Sequence, residues 1–284
     1  RPTLCYWGFK AAGGSHGNEI LRAAASLELL HTFAVVHDDI MDAALERRGE
    51  PTSVAIHGVE VAILVGDLAL VLADELFFNS GFGPQKLARA FSAYSRMRQE
   101  VIAGQMLDLD HERSKHEITP DEALYVARLK SGRYSVEEPL AIGALLGGGG
   151  EPLLEDLARV GRPFGIAFQI NDDLMGSFGS HEVTGKPVDA DIRQGKRHLL
   201  YALALEALSE PARSQFVARW GAGNLDDEGV AELRSILESS GARARAERAR
   251  ADFRAESLQG LDDSALDRQT RAAVAELIDL VTMG

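Results

Sequence analysis

Apolar side chains recur along most of this chain at the spacing of one face of an α-helix. In the stretch that starts at Leu27, the apolar positions Leu30, Phe33 and Ala34 follow at intervals that bring them to one side of a helix. The sequence has no alternating pattern typical of a β-strand, no internal repeat and no low-complexity linker. We therefore predict an all-α protein made of one domain that covers residues 1–284.

Glycine and proline predict where these helices begin and end. The apolar stretch that starts at Ser15 or Asn18 should run as one helix into an acidic group of residues. A helix over residues 52–78 should be interrupted at Gly58 and Gly66. Further helices are predicted over residues 2–13 and 85–110, from residue 120 onwards, and over residues 199–208, 211–219, 226–239, 242–257 and 264–283.

Composition and charge exclude several classes of function. The 284 residues are enough for one large domain with a substantial core. The formal net charge of −13 argues against binding to nucleic acids and to anionic membranes. Cys5 is the single cysteine, which excludes a disulfide within the chain and suits a cytoplasmic protein. The most apolar stretch, residues 59–78, contains several acidic side chains, so we interpret it as a core helix and not as a membrane span.

Three carboxylates, Asp38, Asp39 and Asp42, follow directly after the apolar stretch of the second helix. On a helix, Asp38 and Asp42 lie one turn apart on the same face. Two like charges in this arrangement destabilise a helix by roughly a few tenths of a kcal/mol, and a bound cation removes that cost. Mg²⁺ takes one or two protein carboxylates and completes its shell with water and phosphate oxygens. The pattern therefore indicates either a Mg²⁺ site or a solvated acidic helix end.

Two adjacent arginines, Arg47 and Arg48, come next in a segment that Gly49 and Pro51 mark as a loop. Arginine binds phosphate through two parallel hydrogen bonds, so this pair could hold phosphate oxygens that a metal does not cover. The alternative is simple compensation of the neighbouring acidic charge.

A second acidic pair, Asp172 and Asp173, ends another apolar helical stretch and stands three residues after Gln169. Lys186 and Lys196, each preceded by a glycine, follow it in one segment. Each of these short patterns is weak evidence by itself, but their order along the chain is specific.

The ordered set of motifs resembles the trans-isoprenyl diphosphate synthases, or polyprenyl synthetases, and in particular short-chain members such as farnesyl and geranylgeranyl diphosphate synthases. The resemblance extends over nearly the whole chain. It implies the isoprenoid synthase fold, which is an antiparallel helix bundle around a deep central cavity, and it implies a homodimer. The chain departs from the family pattern at Gly176, where the second acidic motif usually ends in aspartate. This departure leaves the second cluster with one ligand fewer.

The resemblance also implies a reaction. Isopentenyl diphosphate would condense with an allylic diphosphate, pyrophosphate would be released, and a trans-prenyl diphosphate of farnesyl or geranylgeranyl length would form. About three Mg²⁺ ions per active site would assist the departure of pyrophosphate. No nucleic acid partner and no stable insertion into a membrane are expected.

Residue roles follow from the positions that match the family motifs. The metal ligands would be Asp38, Asp39, Asp42, Asp172 and Asp173. The residues expected to bind the allylic diphosphate or to face the reacting carbons are Arg47, Lys130, Ser131, Gln169, Lys186 and Lys196. Those expected to hold isopentenyl diphosphate are Arg1, His31 and Arg48. The catalytic set would be Asp38, Asp42, Asp172, Lys130 and Gln169. Gln105 and Asp108 either support the metal side or form a polar patch on a core helix.

The start of the chain matches only part of a family motif. Arg1 and Pro2 resemble the last two residues of a motif whose lysine stands three positions before the arginine. We expect a segment that carries this lysine to precede Arg1. A different N-terminus without the motif is the alternative.

Product length should depend on Phe33 and Ala34, which stand five and four positions before Asp38. One helical turn is about 5.4 Å, so these residues should lie one turn deeper in the cavity than Asp38. A phenylalanine there should stop a prenyl chain after a few isoprene units, while the small alanine leaves some room. We therefore expect farnesyl or geranylgeranyl diphosphate, with the latter favoured.

Two other functions remain open from the sequence. A class I terpene cyclase shares the metal-triggered ionisation of a diphosphate but needs no second diphosphate site, and His31 and Arg48 argue against it. A catalytically silent subunit of a heteromeric synthase is supported only by Gly176.

Overall fold

The structure, a computed structural model, describes residues 1–113, 117–179 and 189–282. The first helices are α1 (Pro2–Ala11), α2 (Asn18–Met41), α3 (Ser53–His57), α4 (Val59–Phe78), α5 (Pro84–Arg113) and α6 (Pro120–Ala127). A π-helix (Arg128–Glu137) continues α6 and leads into α7 (Glu138–Gly147) and α8 (Glu151–Phe178). The remaining helices are α9 (Ala190–Gln194), α10 (Leu199–Ala207), α11 (Ala212–Arg219), α12 (Asp227–Ser239), α13 (Ala242–Asp262) and α14 (Arg268–Thr282). The prediction of an all-α protein is confirmed.

A short antiparallel hairpin is the only β-sheet in the described ranges. Its strands are β1 (Glu46–Arg47) and β2 (Glu50–Pro51), with Arg48 and Gly49 in the turn at positive φ values of 56° and 78°. It follows the C-terminal end of α2 directly. The hairpin therefore holds the two predicted arginines close to the acidic helix end.

The predicted interruption of the helix over residues 52–78 is half right. Gly58, at a φ of 82°, separates α3 from α4. Gly66 does not interrupt α4, which runs unbroken from Val59 to Phe78. Its missing side chain instead lets α4 approach α2 closely, since a Cβ atom at this position would overlap the imidazole of His37.

Helix α6 begins as the sequence predicts. Thr119 accepts a hydrogen bond from the backbone N–H of Glu122, and the Glu122 side chain accepts one from the backbone of Thr119, which completes a capping box. The chain then widens into the π-helix, a form that occurs mostly in short pieces near functional sites. Gly132 in the π-helix packs on Gly165 in α8, where a Cβ atom on Gly165 would come within 2.6 Å of the Gly132 Cα. This close crossing sets the separation between the π-helix and α8.

Buried apolar residues form the core that fixes α2 between α1 and α4. The largest side chains of this cluster with less than 2% exposure are Ile20, Leu27, Leu30, Phe77, Tyr94, Met97, Ile142 and Leu146. Among the described residues, α2 alone has the length and apolar content of a membrane-crossing helix. Core helices pass the same test, and the buried apolar side chains of α2 belong to this cluster.

The outer face of α4 is apolar and exposed, so the interpretation of residues 59–78 as a core helix holds only for the inner face. Leu64 and Val71 keep 65% and 60% of their surface in contact with solvent, and Leu68 keeps 57%. Further exposed apolar side chains on the same helix are Val59, Val61, Ile63, Val65, Leu72 and Phe78. Contiguous apolar surface of this kind marks a contact surface for another molecule.

Candidate active site

A cavity of about 690 Å³ opens between α2, α5, the π-helix, α8 and the segment that starts with α9. Apolar and charged groups both contribute to its wall. The residues predicted for the site that line it are Arg1, His31, Phe33, Ala34, Asp38, Asp42, Arg47, Lys130, Ser131, Gln169, Asp172, Asp173 and Lys196. The structure therefore brings residues from distant parts of the chain around one space.

The three aspartates of the first acidic group lie in two different environments. Asp38 and Asp42 line the cavity, as their spacing on one helical face predicts. Asp39 does not line it and is only 4% exposed. Arg47 donates hydrogen bonds to Asp39 Oδ1 at 2.7 Å and to Asp38 Oδ2 at 3.2 Å. The hairpin arginine thus neutralises part of the acidic charge at the end of α2.

Two lysines enter the same space from other elements. Lys130 Nζ, from the π-helix, lies 2.6 Å from Asp108 Oδ2 and 3.4 Å from Asp38 Oδ1. Lys196 Nζ lies 2.6 Å from Asp42 Oδ1 and 3.0 Å from Glu112 Oε1. Asp108 therefore belongs to the charged wall of the cavity, and it pairs with Lys130.

Burial and charge shift the titration of these groups in different directions. Burial would raise the pKa of Asp38, but Lys130 and Lys196 lower it below its ordinary value. Burial and the charge of Asp38 together raise the pKa of Asp42. Burial disfavours the charged ammonium of Lys130, yet Asp38 and Asp108 raise its pKa. A further cation beside Asp42 would stabilise its charged form, which burial and Asp38 disfavour.

The second acidic pair lies on α8. Asp172 and Asp173 both line the cavity, and Gln169 Nε2 donates a hydrogen bond of 2.6 Å to Asp173 Oδ1. Burial and the nearby Asp191 raise the pKa of Asp173 well above its usual range. At Gly176 a Cβ atom would collide with the carboxylate of Asp191. The carboxylate of Asp191 therefore fills the space next to position 176, where the family pattern has an aspartate side chain.

A third group of polar residues forms around His31. His31 Nδ1 lies 2.7 Å from the hydroxyl oxygen of Tyr134, and the guanidinium of Arg1 stacks over the Tyr134 ring at 4.4 Å. Burial, followed by the positive charges of Arg1 and Arg48, lowers the pKa of His31 to about 3. The imidazole is therefore neutral at physiological pH, so one of its nitrogens donates a hydrogen bond and the other accepts one.

Besides Asp39, one more predicted residue with a described position does not line the cavity. Arg48 lies in the hairpin turn and does not line the cavity, although its charge acts on Arg1 and His31. Lys186 lies outside the described residues.

Sequence comparison agrees with this geometry. Residues 1–237 match the family model described as polyprenyl synthetase. The chain belongs to the polyprenyl synthetase family.

Several curated relatives of this polyprenyl synthetase match it over 99% of its length. The short chain isoprenyl diphosphate synthase of Methanothermobacter thermautotrophicus is 34% identical over 84% of that protein. The geranylfarnesyl diphosphate synthase of Aeropyrum pernix is 33% identical over 88% of that protein, and the (2E,6E)-farnesyl diphosphate synthase of Mycobacterium tuberculosis is 34% identical over 77% of that protein.

The fold of the polyprenyl synthetase also matches solved structures. The geranylgeranyl pyrophosphate synthase of Corynebacterium glutamicum, complexed with isoprenyl diphosphate and magnesium, superposes with a TM-score of 0.93 at 36% identity, over 99% of this chain and 85% of the other. The corresponding protein of Pyrococcus horikoshii gives a TM-score of 0.90 at 29% identity, over 100% of this chain and 85% of the other. The predicted isoprenoid synthase fold is confirmed.

The cavity wall of the polyprenyl synthetase and its charge network include further residues that were not predicted as site residues, four charged or aromatic side chains among them. Tyr134, Asp191 and His37 line the cavity, and Glu112 holds Lys196. One signal for Glu112 is present in the sequence, because it stands four residues after Asp108 and so repeats the spacing of the first acidic group. The other three depend on packing between distant segments.

The donor set of this polyprenyl synthetase fits Mg²⁺. In the described ranges no group of three His, Cys, Asp or Glu side chains is arranged to hold a metal by itself. Mg²⁺ does not require such a cage, because it usually binds through one or two carboxylates together with substrate phosphates. Buried Asp38 Oδ1 has no hydrogen-bond partner among the described residues, although the Lys130 ammonium lies 3.4 Å away, so it has capacity for a metal. Asp42 and Asp172 add further oxygen donors in the same cavity.

Proposed function

We propose that this polyprenyl synthetase condenses isopentenyl diphosphate with an allylic diphosphate to give a C15–C20 trans-prenyl diphosphate and pyrophosphate. The observation that carries the proposal is the meeting of Asp38 and Asp42 from α2 with Asp172 from α8 in one cavity, which Lys130 and Lys196 also line. The names of the relatives, which cover farnesyl, geranylgeranyl and geranylfarnesyl products, support the same reaction class.

Asp38, Asp42 and Asp172 would hold Mg²⁺ when the diphosphate binds. When bound, Mg²⁺ supplies Lewis-acid stabilisation of the pyrophosphate leaving group, with about three ions per site. Asp39 and Asp173 were also predicted as ligands and remain candidates. Their present contacts, with Arg47 and Gln169, support the alternative that they orient these neighbours.

Cationic side chains would bind the two diphosphates in different parts of the cavity. Lys130 and Lys196 neutralise carboxylates in the free protein, and we expect them to turn to the allylic diphosphate when a metal takes over those carboxylates. Arg47 would join them from the hairpin. Lys186 is proposed for the same site from its sequence motif alone.

The second diphosphate site would lie around Arg1 and His31. Arg1 offers a guanidinium in the cavity wall, and the neutral imidazole of His31 can donate a hydrogen bond to a phosphate oxygen. Arg48 would add its charge from the hairpin turn. This group would hold isopentenyl diphosphate with its double bond toward the allylic carbon.

Residues of this chain would assist the bond changes between the two bound substrates. The allylic carbon–oxygen bond breaks, a carbon–carbon bond forms to isopentenyl diphosphate, and a proton leaves that substrate for the departed pyrophosphate. Ser131 and Gln169 line the cavity, where their side-chain oxygens can stabilise positive charge that develops on carbon. Apolar wall residues such as Phe33 would exclude water, which would otherwise convert the cation into an alcohol.

We propose further that the apolar face of α4 binds a second copy of the chain. Leu64, Leu68 and Val71 would lie at the centre of this homodimer contact. The variant Leu64→Glu with Leu68→Glu should then elute as a monomer in size-exclusion chromatography with light scattering, whereas wild type elutes as a dimer. A monomeric wild type would contradict the proposal.

A cytoplasmic location is proposed for the same protein. The net charge of −13 disfavours adhesion to anionic membranes, and the single cysteine, Cys5, is buried and free. Fractionation of cells that express the chain, followed by immunoblotting of soluble and membrane fractions, tests this.

One assay tests the reaction itself. Purified protein is incubated with Mg²⁺, isopentenyl diphosphate and each allylic primer in turn, and the products are identified by mass spectrometry after removal of the diphosphate. Prenyl alcohols longer than the primer support the proposal. Cyclic hydrocarbons formed from a primer alone, or no turnover with any primer, would overturn it.

A further inference from the structure

His37 lies between the cavity and helix α4, beside the residue predicted to limit product length. Its ring packs edge to face on Phe33, with centroids 4.8 Å apart and an interplanar angle of 62°. Both side chains line the cavity, whereas no residue of α4, which is described in full, does so. The Phe33–His37 pair therefore forms the wall of the cavity on the side of α4.

The imidazole of His37 is hydrogen-bonded to α4 through its Nε2 atom, with Asp67 close by. Its Nε2 atom lies 3.3 Å from the carbonyl oxygen of Ile63 and 3.6 Å from Asp67 Oδ1. A carbonyl oxygen only accepts hydrogen bonds, so Nε2–H is the donor in the first contact. The side chain is 22% exposed, and its position is set by contacts on both sides.

Gly66 provides the space that this anchoring needs. A Cβ atom on Gly66 would overlap Cδ2 and Nε2 of the His37 ring. The imidazole thus lies directly against the backbone of α4, between Ile63 and Asp67. Any side chain at position 66 would push the ring away from α4, toward Phe33 and the cavity.

We propose that His37, seated on Gly66, is a positioning residue that determines product length by holding the Phe33 ring across the path of the growing prenyl chain. This inference rests on the proposed prenyl transfer and assigns a role that the predicted site residues do not include. A phenyl ring with no support on one side can rotate out of the way, whereas a ring packed against an anchored neighbour cannot do so without breaking that packing.

The first test compares the product distributions of wild type and His37→Ala with the same primer and Mg²⁺. Loss of the anchored ring should raise the yield of products one or more isoprene units longer than the main wild-type product about tenfold, the scale on which apolar pockets discriminate chain length. An unchanged distribution would overturn the proposal. His57→Ala, which removes an exposed imidazole from α3, is the matched control and should leave the distribution unchanged.

A double-mutant cycle tests whether His37 acts through Phe33. Phe33→Ala alone should lengthen the products, because it removes the ring itself. Adding His37→Ala to Phe33→Ala should then cause little further lengthening. If the two effects multiplied, His37 would act independently of Phe33 and the positioning role would be wrong.

A second variant, Gly66→Ala, should change product length in the opposite direction. The added methyl group should push the imidazole toward Phe33 and shift the distribution to shorter products. In the His37→Ala background the same substitution should have no effect on length, since the ring that it displaces is absent. Gly223→Ala, which places a methyl group in open space, controls for the loss of a glycine. A Gly66→Ala effect that persists without His37 would contradict the assignment.

These outcomes separate the inference from the proposed function. A wild-type protein that forms no condensation product refutes the prenyl transfer itself. A wild-type protein that condenses its substrates, together with a thermally stable His37→Ala variant of unchanged product length, refutes the role of His37 alone.

Discussion

Lys196 Nζ donates a hydrogen bond of 2.6 Å to Asp42 Oδ1, across 154 positions of sequence. The contact joins the glycine- and lysine-bearing segment after α9 to the acidic end of α2. It also places a cation where the proposed Mg²⁺–diphosphate complex would bind. For Asp42 to hold Mg²⁺ as proposed, Lys196 would have to release its carboxylate.

Removal of the carboxylates on α2 should abolish most of the activity. Asp38→Asn and Asp42→Asn should each lower kcat by about a thousandfold or more, because the leaving group loses its electrostatic stabilisation. Asp172→Asn should cost less, since Gly176 already removes one acid from that side. Steady-state assays measure kcat, and the rise in melting temperature on adding Mg²⁺ with pyrophosphate measures metal binding separately.

The matched control for these variants is Asp110→Asn, which alters an exposed carboxylate on α5. It should change neither kcat nor the Mg²⁺-dependent rise in melting temperature. Full activity of enzyme stripped with EDTA and assayed without added metal would contradict the metal assignment.

The two diphosphate sites should respond to different substitutions. His31→Ala and Arg48→Ala should raise the KM for isopentenyl diphosphate more than the KM for the allylic primer. Lys130→Ala and Lys196→Ala should do the reverse, because these lysines pair with the carboxylates of the metal side. Initial rates measured with each substrate varied in turn test the split. Equal shifts of both constants in all four variants would refute two separate sites.

Enlarging Ala34 should shorten the product. Ala34 lines the cavity one turn before Asp38, and a leucine there would fill space next to Phe33. Ala34→Leu should lower the ratio of geranylgeranyl to farnesyl diphosphate about tenfold. The ratio is read by chromatography of the dephosphorylated products. Ala25→Leu, on the exposed side of the same helix, should leave it unchanged, and an unchanged ratio in Ala34→Leu would exclude Ala34 from the path of the chain.

Restoring the family aspartate at position 176 should be harmful. A Cβ atom there would collide with the Asp191 carboxylate, and the new charge would repel it, so Gly176→Asp should lower the free energy of unfolding by about 1–3 kcal/mol. Urea unfolding measures the loss, and Gly223→Asp in open space is the control. Combining Gly176→Asp with Asp191→Ala should recover most of the stability. A Gly176→Asp variant as stable as wild type would show that the two positions do not compete.

His198, whose side chain is only 10% exposed, should make the protein sensitive to mild acid. Burial lowers its pKa to about 4, and Nε2 lies 3.3 Å from Ser177 Oγ. At pH values between that value and the unfolded pKa of about 6.5, the imidazole of His198 is mostly protonated in the unfolded chain and mostly neutral in the folded chain. The free energy of unfolding therefore falls as pH falls. The contribution of His198 to this loss is about 3 kcal/mol at most.

Denaturant unfolding from pH 7 to pH 4 tests the role of His198. His198→Gln should show a shallower loss of stability with falling pH than wild type does. His57→Gln, at an exposed position, should keep the wild-type slope. The same slope in His198→Gln and wild type would exclude His198 as the source.

Local sequence determined the helical character of the chain and much of its helix plan. The capping box at Thr119 and Glu122, the end of α3 at Gly58 and the shared face of Asp38 and Asp42 depend on residues a few positions apart. Such short-range geometry follows from helix periodicity and capping chemistry. The order of the acidic and basic motifs also predicted the family.

Tertiary packing decided which of these residues face one another. Asp39 turns toward Arg47 while its neighbour Asp38 faces the cavity, and helix periodicity does not identify their partners. The pairing of Lys130 with Asp108, like that of Lys196 with Glu112, joins different elements. The metal and substrate roles assigned to these residues stay predictions until the variants above are measured.

Two glycines whose neighbours in space the sequence did not reveal make the same physical point. Gly66 has the pattern of a helix breaker but lies inside continuous α4, where its missing side chain admits His37. Gly176 has the pattern of a lost ligand, yet the space of the missing acid is taken by Asp191. In both cases the sequence specifies only that a side chain is absent. The neighbour that fills the space comes from another segment, so only the packed tertiary structure decides it.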